Sequence, residues 1–270
     1  MSKIGLCLSG GGARGAFQVG VMKALTELGI APKITAYSGT SIGSVNASFF
    51  ATKSIDEIIS IWESISPESM KRTESYFRNL IRDHPKVTET GLFDISDLEQ
   101  IIQNHLVPPL IKEKEIYVTL SEGGAVGEGF FGLLKASYNH YIKKDAKAVY
   151  IPLHKQSEED MIRFILASCS IPIVFPGVSI GSVNYFDGGL YDNVPVKPLV
   201  DAGCNLIIVV HLHRIHFFDH KKFPHIIFHE IRHQGGLGGI LNFDPERAKH
   251  TIQLGYQDTL DYCAKTPIVE

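Results

Sequence analysis

The chain has little cysteine, a single tryptophan and no long apolar run. Its four cysteines, at positions 7, 169, 204 and 263, lie far apart and mostly inside apolar stretches. Such spacing excludes a disulfide framework and reads as buried free thiols of a reducing compartment. No uninterrupted apolar run reaches the ~18 residues that mark a membrane-spanning helix. No charged-then-apolar leader precedes the first strand, so no secretory signal is expected. An excess of one charge is lacking too. The 26 Lys and Arg against 29 Asp and Glu leave a net charge of −3. Without a cationic block there is nothing to hold nucleic acid. What the chain does have is 270 residues, 44 % of them hydrophobic, and 25 glycines. That is enough for a large core in a single domain spanning 1–270, expected in the cytoplasm.

The glycines are most informative in the first fifty residues. Ile4 to Leu8 is a short apolar run and reads as a buried strand. Gly10, Gly11 and Gly12 follow, where bare backbone can bring N–H groups close to a ligand. Arg14 and Gly15 open a helix whose Val19, Met22, Leu25 and Leu28 recur at helical spacing until Gly29 stops it. A second strand, Ile34 to Tyr37, runs into Gly39-Thr40-Ser41-Ile42-Gly43. This is the G-x-S-x-G pattern of a nucleophile elbow, which requires strand, tight turn and helix. Ser44 to Thr52 supplies the helix. An anion cradle and a candidate nucleophile thus stand on adjacent strand-to-helix turns.

Further along, Ser54-Ile55-Asp56-Glu57 and Ser96-Asp97-Leu98-Glu99 are capping boxes that start helices. Ser157 caps another, and Asp244-Pro245 opens a final helix to about Ala264. Glu115–Leu120, Ala148–Leu153, Val183–Phe186 and Leu206–Leu212 read as strands. The last is the most continuous apolar strand, as a central parallel strand should be. Ser121 to Gly132, with five glycines and the pair Phe130 and Phe131, reads as a flap or hairpin. His225 to His233 reads as helical. Alternating strands and helices predict an α/β fold with a mostly parallel central sheet flanked by helices.

The motifs Gly10 to Gly15 (G-G-G-x-R-G) and Gly39 to Gly43, with Asp187-Gly188-Gly189, resemble those of the patatin-like phospholipases in order and spacing. The resemblance runs from about residue 3 to residue 210, and the last sixty residues carry none of the family's motifs. It implies a patatin-like, α/β-hydrolase-related fold and a serine lipid acyl hydrolase of phospholipase A or esterase type. Ser41 would be the nucleophile and Asp187 its base in a two-residue dyad without histidine. Gly10, Gly11 and Gly12 would form the oxyanion hole. Arg14, Gly15, Gly39, Gly43, Gly188 and Gly189 would support them. No cofactor or metal is implied. The substrate would be a lipid ester, reached by peripheral contact with a membrane, for which Phe130 and Phe131 are the candidate residues. Oligomeric state is left open.

Other readings stand beside these. Asp187 before two glycines fits a plain turn residue, and Arg14 fits a surface turn. Ser41 to Asn46 recurs letter for letter at Ser179 to Asn184. The second copy leads into a strand without a helix and reads as a hairpin turn. His229-Glu230-Ile231-Arg232-His233 fits the zinc-protease pattern H-E-x-x-H, with both imidazoles on one helix face. Seven of the twelve histidines lie between 211 and 233, which favours a chance match with surface histidines. His211 and His213 are what a Ser-Asp-His triad would use. A non-catalytic lipid- or acyl-binding module on the same fold is the alternative of a different class.

Overall fold

The computed structural model describes residues 2–65, 96–125, 148–171, 177–214 and 218–268. Phe130 and Phe131 lie outside these residues, as does the 69–90 segment.

Strand β1 (Ile4–Leu8) is buried along its whole length. Leu6 and Leu8 pack into the larger core and Cys7 into a smaller one on the opposite face. A strand covered on both faces is the signature of a parallel α/β sheet. After a 3-10 turn at Gly12–Gly15 comes α1 (Ala16–Glu27). Then follow β2 (Ile34–Thr40), α2 (Ile42–Phe50) and α3 (Ile55–Ser64). The Ser54–Glu57 capping box is formed as expected. Next are α4 (Ser96–His105), α5 (Pro108–Ile111), β3 (Glu115–Ala125) and β4 (Ala148–Pro152). Helix α6 (Glu158–Cys169), capped by Ser157, leads to the hairpin β5 (Val178–Ile180) and β6 (Val183–Asp187). The chain closes with α7 (Lys197–Asp201), β7 (Leu206–His211), β8 (Ile227–Arg232) and α8 (Pro245–Lys265), capped by Asp244.

The sheet runs β5-β6-β3-β2-β1-β7-β8, with β4 also paired to β3. From β3 through β8 in this order every pair is parallel. The β4 and β5-β6 pairings are antiparallel. The expected mostly parallel sheet flanked by helices is therefore present. β3 extends five residues beyond its expected end, because β6 pairs with Leu120 to Ala125.

One expected element is corrected. Residues 227–232 form a strand, not a helix. The run Ile227-Phe228-His229-Glu230-Ile231-Arg232 buries His229 and Ile231 and leaves Phe228, Glu230 and Arg232 less covered. That is the period-two pattern of a strand, satisfied by parallel pairing with β7.

The last sixty residues complete the fold. α8 lies against α1 with no room for side chains at the crossing. A Cβ on Gly20 would overlap the Ile252 carbonyl, and one on Gly255 the Phe17 carbonyl. All four cysteines are free. No described helix is long and apolar enough to cross a membrane.

Candidate active site

The two glycine-bearing turns meet at the carboxyl edge of the sheet because Leu8 pairs with Gly39. Ser41, at the turn between β2 and α2, has φ 55° and ψ −130°. It is the sole non-glycine residue of positive φ among the described residues. Backbone held in such a region costs about 1–3 kcal/mol and must be enforced by its surroundings. A Cβ on Gly39 would overlap the Gly43 carbonyl, and one on Gly43 the Leu8 carbonyl. The elbow is thus clamped between its own helix and β1. The Ser41 amide donates to Ser168 Oγ at 2.9 Å, and Ser168 Oγ donates to the Thr119 carbonyl at 2.8 Å. Ser44 Oγ donates to the Ser41 carbonyl at 2.6 Å.

A buried polar network joins this elbow to the first glycine turn. Asn46 Nδ2 donates to the Gly15 carbonyl and to Gln18 Oε1, at 3.0 and 2.8 Å. Asn46 Oδ1 accepts from Trp62 Nε1, and Gln18 Nε2 donates to the Ser9 carbonyl. A Cβ on Gly15 would press on Ile42 and Trp62, so a larger residue there would push the two turns apart. A Cβ on Gly10 would come within 3.1 Å of Ser41 Cβ, so the glycine loop lies directly against Ser41. The Gly10 amide makes a long bond, 3.4 Å, to the Asn193 carbonyl. The Gly11 and Gly12 amides have no acceptor among the described residues. Ala13 N donates to the Ile240 carbonyl at 2.7 Å and fixes the end of the loop.

Asp187 closes β6. Its amide donates to the Ser170 carbonyl at 3.0 Å, and its Oδ1 accepts from the Gly189 amide at 2.7 Å. The turn-residue reading is therefore correct as local structure: Asp187 caps the 3-10 turn Gly188–Leu190. The Ser41 side chain is close enough to influence this carboxyl, though no bond of 3.5 Å or less joins the two. Burial pushes its carboxyl from 3.8 up to about 6, against the opposing pull of Ser41 and the Gly189 amide. A Cβ on Gly188 would overlap the Thr119 carbonyl, and Gly189 packs between Asp187 and Asn193. Nearby, Asp192 accepts from Tyr150 Oη at 2.6 Å and from Val194 N, and its carbonyl accepts from Thr40 Oγ1.

Arg14 reaches away from these groups. It donates through Nε to the Gly238 carbonyl at 2.7 Å, and through Nη1 to the Leu212 carbonyl at 3.4 Å and His213 Nδ1 at 3.1 Å. It ties the glycine loop to the segment after β7 and to the 238–240 loop.

A match to the family model described as patatin-like phospholipase covers residues 6–200. The chain belongs to that family. Similar proteins include lysophospholipase NTE1 of Cryptococcus neoformans var. neoformans, 27 % identical over 220 residues. The match covers 77 % of this chain and 11 % of that protein. Protein YjjU of Escherichia coli is 26 % identical over 220 residues, covering 77 % of this chain and 51 % of YjjU. The chain thus spans a small part of the NTE1 proteins and about half of YjjU. The structure is similar to VipD from Legionella pneumophila, with a TM-score of 0.53 at 14 % identity, covering 98 % of this chain and 67 % of VipD. That likeness concerns the fold alone.

The fold brings Ser41, Asp187 and the Gly10–Gly12 loop together and sets the remaining candidates apart. Ser179 lies on the β5-β6 hairpin, bonded to Asn184, with Gly181 at φ +62° in the turn. His211 Nε2 is 2.7 Å from Glu230 Oε2, on the far side of β1 from the elbow. The H-E-x-x-H reading fails on geometry. On a strand its histidines stand about 13 Å apart, too far to share one ion. Each instead meets α8: His229 bonds Tyr262 Oη and His233 bonds Asp258. Among the described residues no group of three or more metal-ligating side chains converges. Sequence reasoning missed Ser168, Gln18, Asn46, Asn193 and the Asp192–Tyr150 pair. A buried glutamine in the otherwise apolar start of α1 was the one signal that could have been found.

Proposed function

We propose that this chain is a lipid acyl hydrolase working through a Ser41–Asp187 dyad. Ser41 Oγ attacks the ester carbonyl while Asp187 takes the hydroxyl proton. The resulting oxyanion is held by the amides of the Gly10–Gly12 loop, chiefly Gly11 and Gly12, whose donors are uncommitted among the described residues. As the tetrahedral intermediate collapses, the ester C–O bond breaks and Asp187 returns the proton to the departing alcohol. Water, deprotonated by Asp187, then attacks the acyl-Ser41 carbonyl, the acyl–Oγ bond breaks, Asp187 returns the proton to Ser41 Oγ, and the fatty acid leaves. No cofactor enters any step.

The observation that carries this reading is the strained Ser41 beside a buried carboxyl pushed up to about 6, a carboxyl on which the Ser41 side chain acts. An ordinary aspartate is too weak a base. Raised to about 6, it is still ionised at neutral pH yet better matched to proton transfer. Membership of the patatin-like phospholipase family, and the lysophospholipase name of the NTE1 relatives, support a lipid ester as substrate. Hydrolysis of a lysophospholipid, and covalent labelling by a fluorophosphonate, test the proposal. Both should be present in the wild type and absent in Ser41→Ala. A folded protein that binds the lipid but neither turns it over nor takes the label would be a binding module instead.

A further inference from the structure

Asp192 and its neighbour Asn193 are bonded to all three parts of the candidate site. The Asp192 amide donates at 2.9 Å to the carbonyl of Gly188, the residue after Asp187. The Asp192 carbonyl accepts at 2.9 Å from Oγ1 of Thr40, the residue before Ser41. Oδ1 accepts from the Val194 amide at 3.1 Å, and Oδ2 accepts from Tyr150 Oη at 2.6 Å. The Asn193 carbonyl accepts from the Gly10 amide at 3.4 Å, and a Cβ on Gly10 would overlap Asn193 Oδ1. Register places Tyr150 for its part. Thr40 pairs with Thr119 on β3, and Thr119 pairs with Tyr150 on β4. Directly paired residues share a face, so the three form a row across the sheet, and Asp192 bonds both of its ends. Burial and the adjacent Asp192 charge push the Tyr150 hydroxyl up, so it stays a donor at neutral pH.

We infer that Tyr150 and Asp192 are positioning residues, one clamp that keeps Ser41, Asp187 and the Gly10–Gly12 loop in mutual register. The clamp acts through Thr40, Gly188 and Asn193, each next to or against a member of the site. Ser38 Oγ, which donates to the Pro195 carbonyl at 2.7 Å, ties β2 to the same segment a second time. Without the Tyr150 bond the Asp192 side chain keeps only the contact within its own turn, and the segment loses its anchor on β4. A misplacement of about 1 Å in such a constellation can cost about a hundredfold in rate, so a hydroxyl remote from the ester can govern turnover. What the clamp does for turnover rests on the dyad proposed above; whether it holds the turns does not.

Amide hydrogen exchange on the whole chain reads the holding without any turnover. In Tyr150→Phe and in Asp192→Ala, peptides covering Ser9 to Gly15 and Ser38 to Ser44 should exchange about tenfold faster or more. Peptides from α1 and α8 should keep their wild-type rates, which separates local loosening from a general loss of stability. In the same variants kcat on a lysophospholipid should fall roughly tenfold or more, with KM within about twofold of the wild type. The double variant should be no slower than Asp192→Ala, because the two side chains act through one bond. Asp192→Asn keeps an acceptor for Val194 and a partner for Tyr150 Oη, so it should recover most of kcat. Wild-type exchange at both peptides in folded Tyr150→Phe would overturn the clamp. So would an Asp192→Asn variant as slow as Asp192→Ala, since charge and not position would then be what the site needs. Full turnover in Asp187→Asn, with exchange in the clamp variants as expected, would remove the dyad and leave the clamp standing.

Discussion

Ser41 and Asp187 meet because β2 and β6 occupy the same edge of β3, one after the other. Thr40 pairs with Thr119, and Asp187 pairs with Leu120, the next residue along. β4 holds the opposite edge over the same stretch. A parallel strand ends at the elbow, and an antiparallel strand arrives from the other direction to deliver the carboxyl. A one-residue slip in the β3–β6 register would turn Asp187 to the other face of the sheet.

The pH dependence of turnover follows from that carboxyl. Asp187 must be ionised to accept the proton, and its pKa is about 6. In a pH profile kcat/KM should rise through about pH 6 and then level. A limb at about pH 4, where an ordinary carboxyl titrates, would show that Asp187 is not the base.

Stability should run the opposite way. The folded pKa of Asp187, about 6, lies above its unfolded value near 3.8. The folded state therefore binds the extra proton between these values, and stability is lost as pH rises from about 4 through about 6. Asp187→Asn removes the buried charge. At about pH 8 it should unfold at higher temperature than the wild type, by up to about 3 kcal/mol in stability, while losing activity. An equal melting point at that pH would mean that the carboxylate costs the fold nothing.

Ser168 acts through Ser41. Its hydroxyl takes the elbow amide and hands its own proton to β3. Ser168→Ala leaves a buried amide and a buried carbonyl unpaired, a cost of about 1–3 kcal/mol. With the nucleophile loosened, kcat should fall by roughly ten- to a hundredfold with little change in KM. Ser168→Thr, which keeps the hydroxyl, should recover much of the loss. Loss of stability with kcat intact would reduce Ser168 to a packing residue.

The crossing of α1 and α8 predicts a purely structural effect. Gly255→Ala forces a methyl against the Phe17 carbonyl. Overpacking of this kind costs about 1–3 kcal/mol, occasionally more. Thermal unfolding should shift down, and hydrolysis at low temperature should be nearly normal.

The candidate site was legible in the sequence because glycines crowd around Ser41 and Asp187 wherever the backbone comes close. Gly39, Gly43, Gly188 and the Gly10–Gly12 run announce close approach by residue type alone. The parallel sheet was legible from the continuous apolar runs of β1 and β7. The β8 strand was not, since His229-Glu230-Ile231-Arg232 satisfies a helical motif as well as a strand alternation. Only its pairing with β7 decides between them. Ser168 was hidden for another reason: its partners, Ser41 and Thr119, are far away in sequence, and a serine in a helix carries no local sign of them. The glycine pair at the α1–α8 crossing was equally silent, because a close approach depends on both helices at once.

The most direct test of the dyad sets Asp187→Asn beside the double variant His211→Ala/His213→Ala in one hydrolysis assay, with Ser41→Ala as the baseline. His211 is bonded to Glu230 and His213 to Arg14, so neither is the base in this account. Asp187→Asn should fall to the Ser41→Ala baseline, and the folded double histidine variant should keep most of its turnover. A histidine variant at the baseline with Asp187→Asn still active would contradict the account and restore a histidine base.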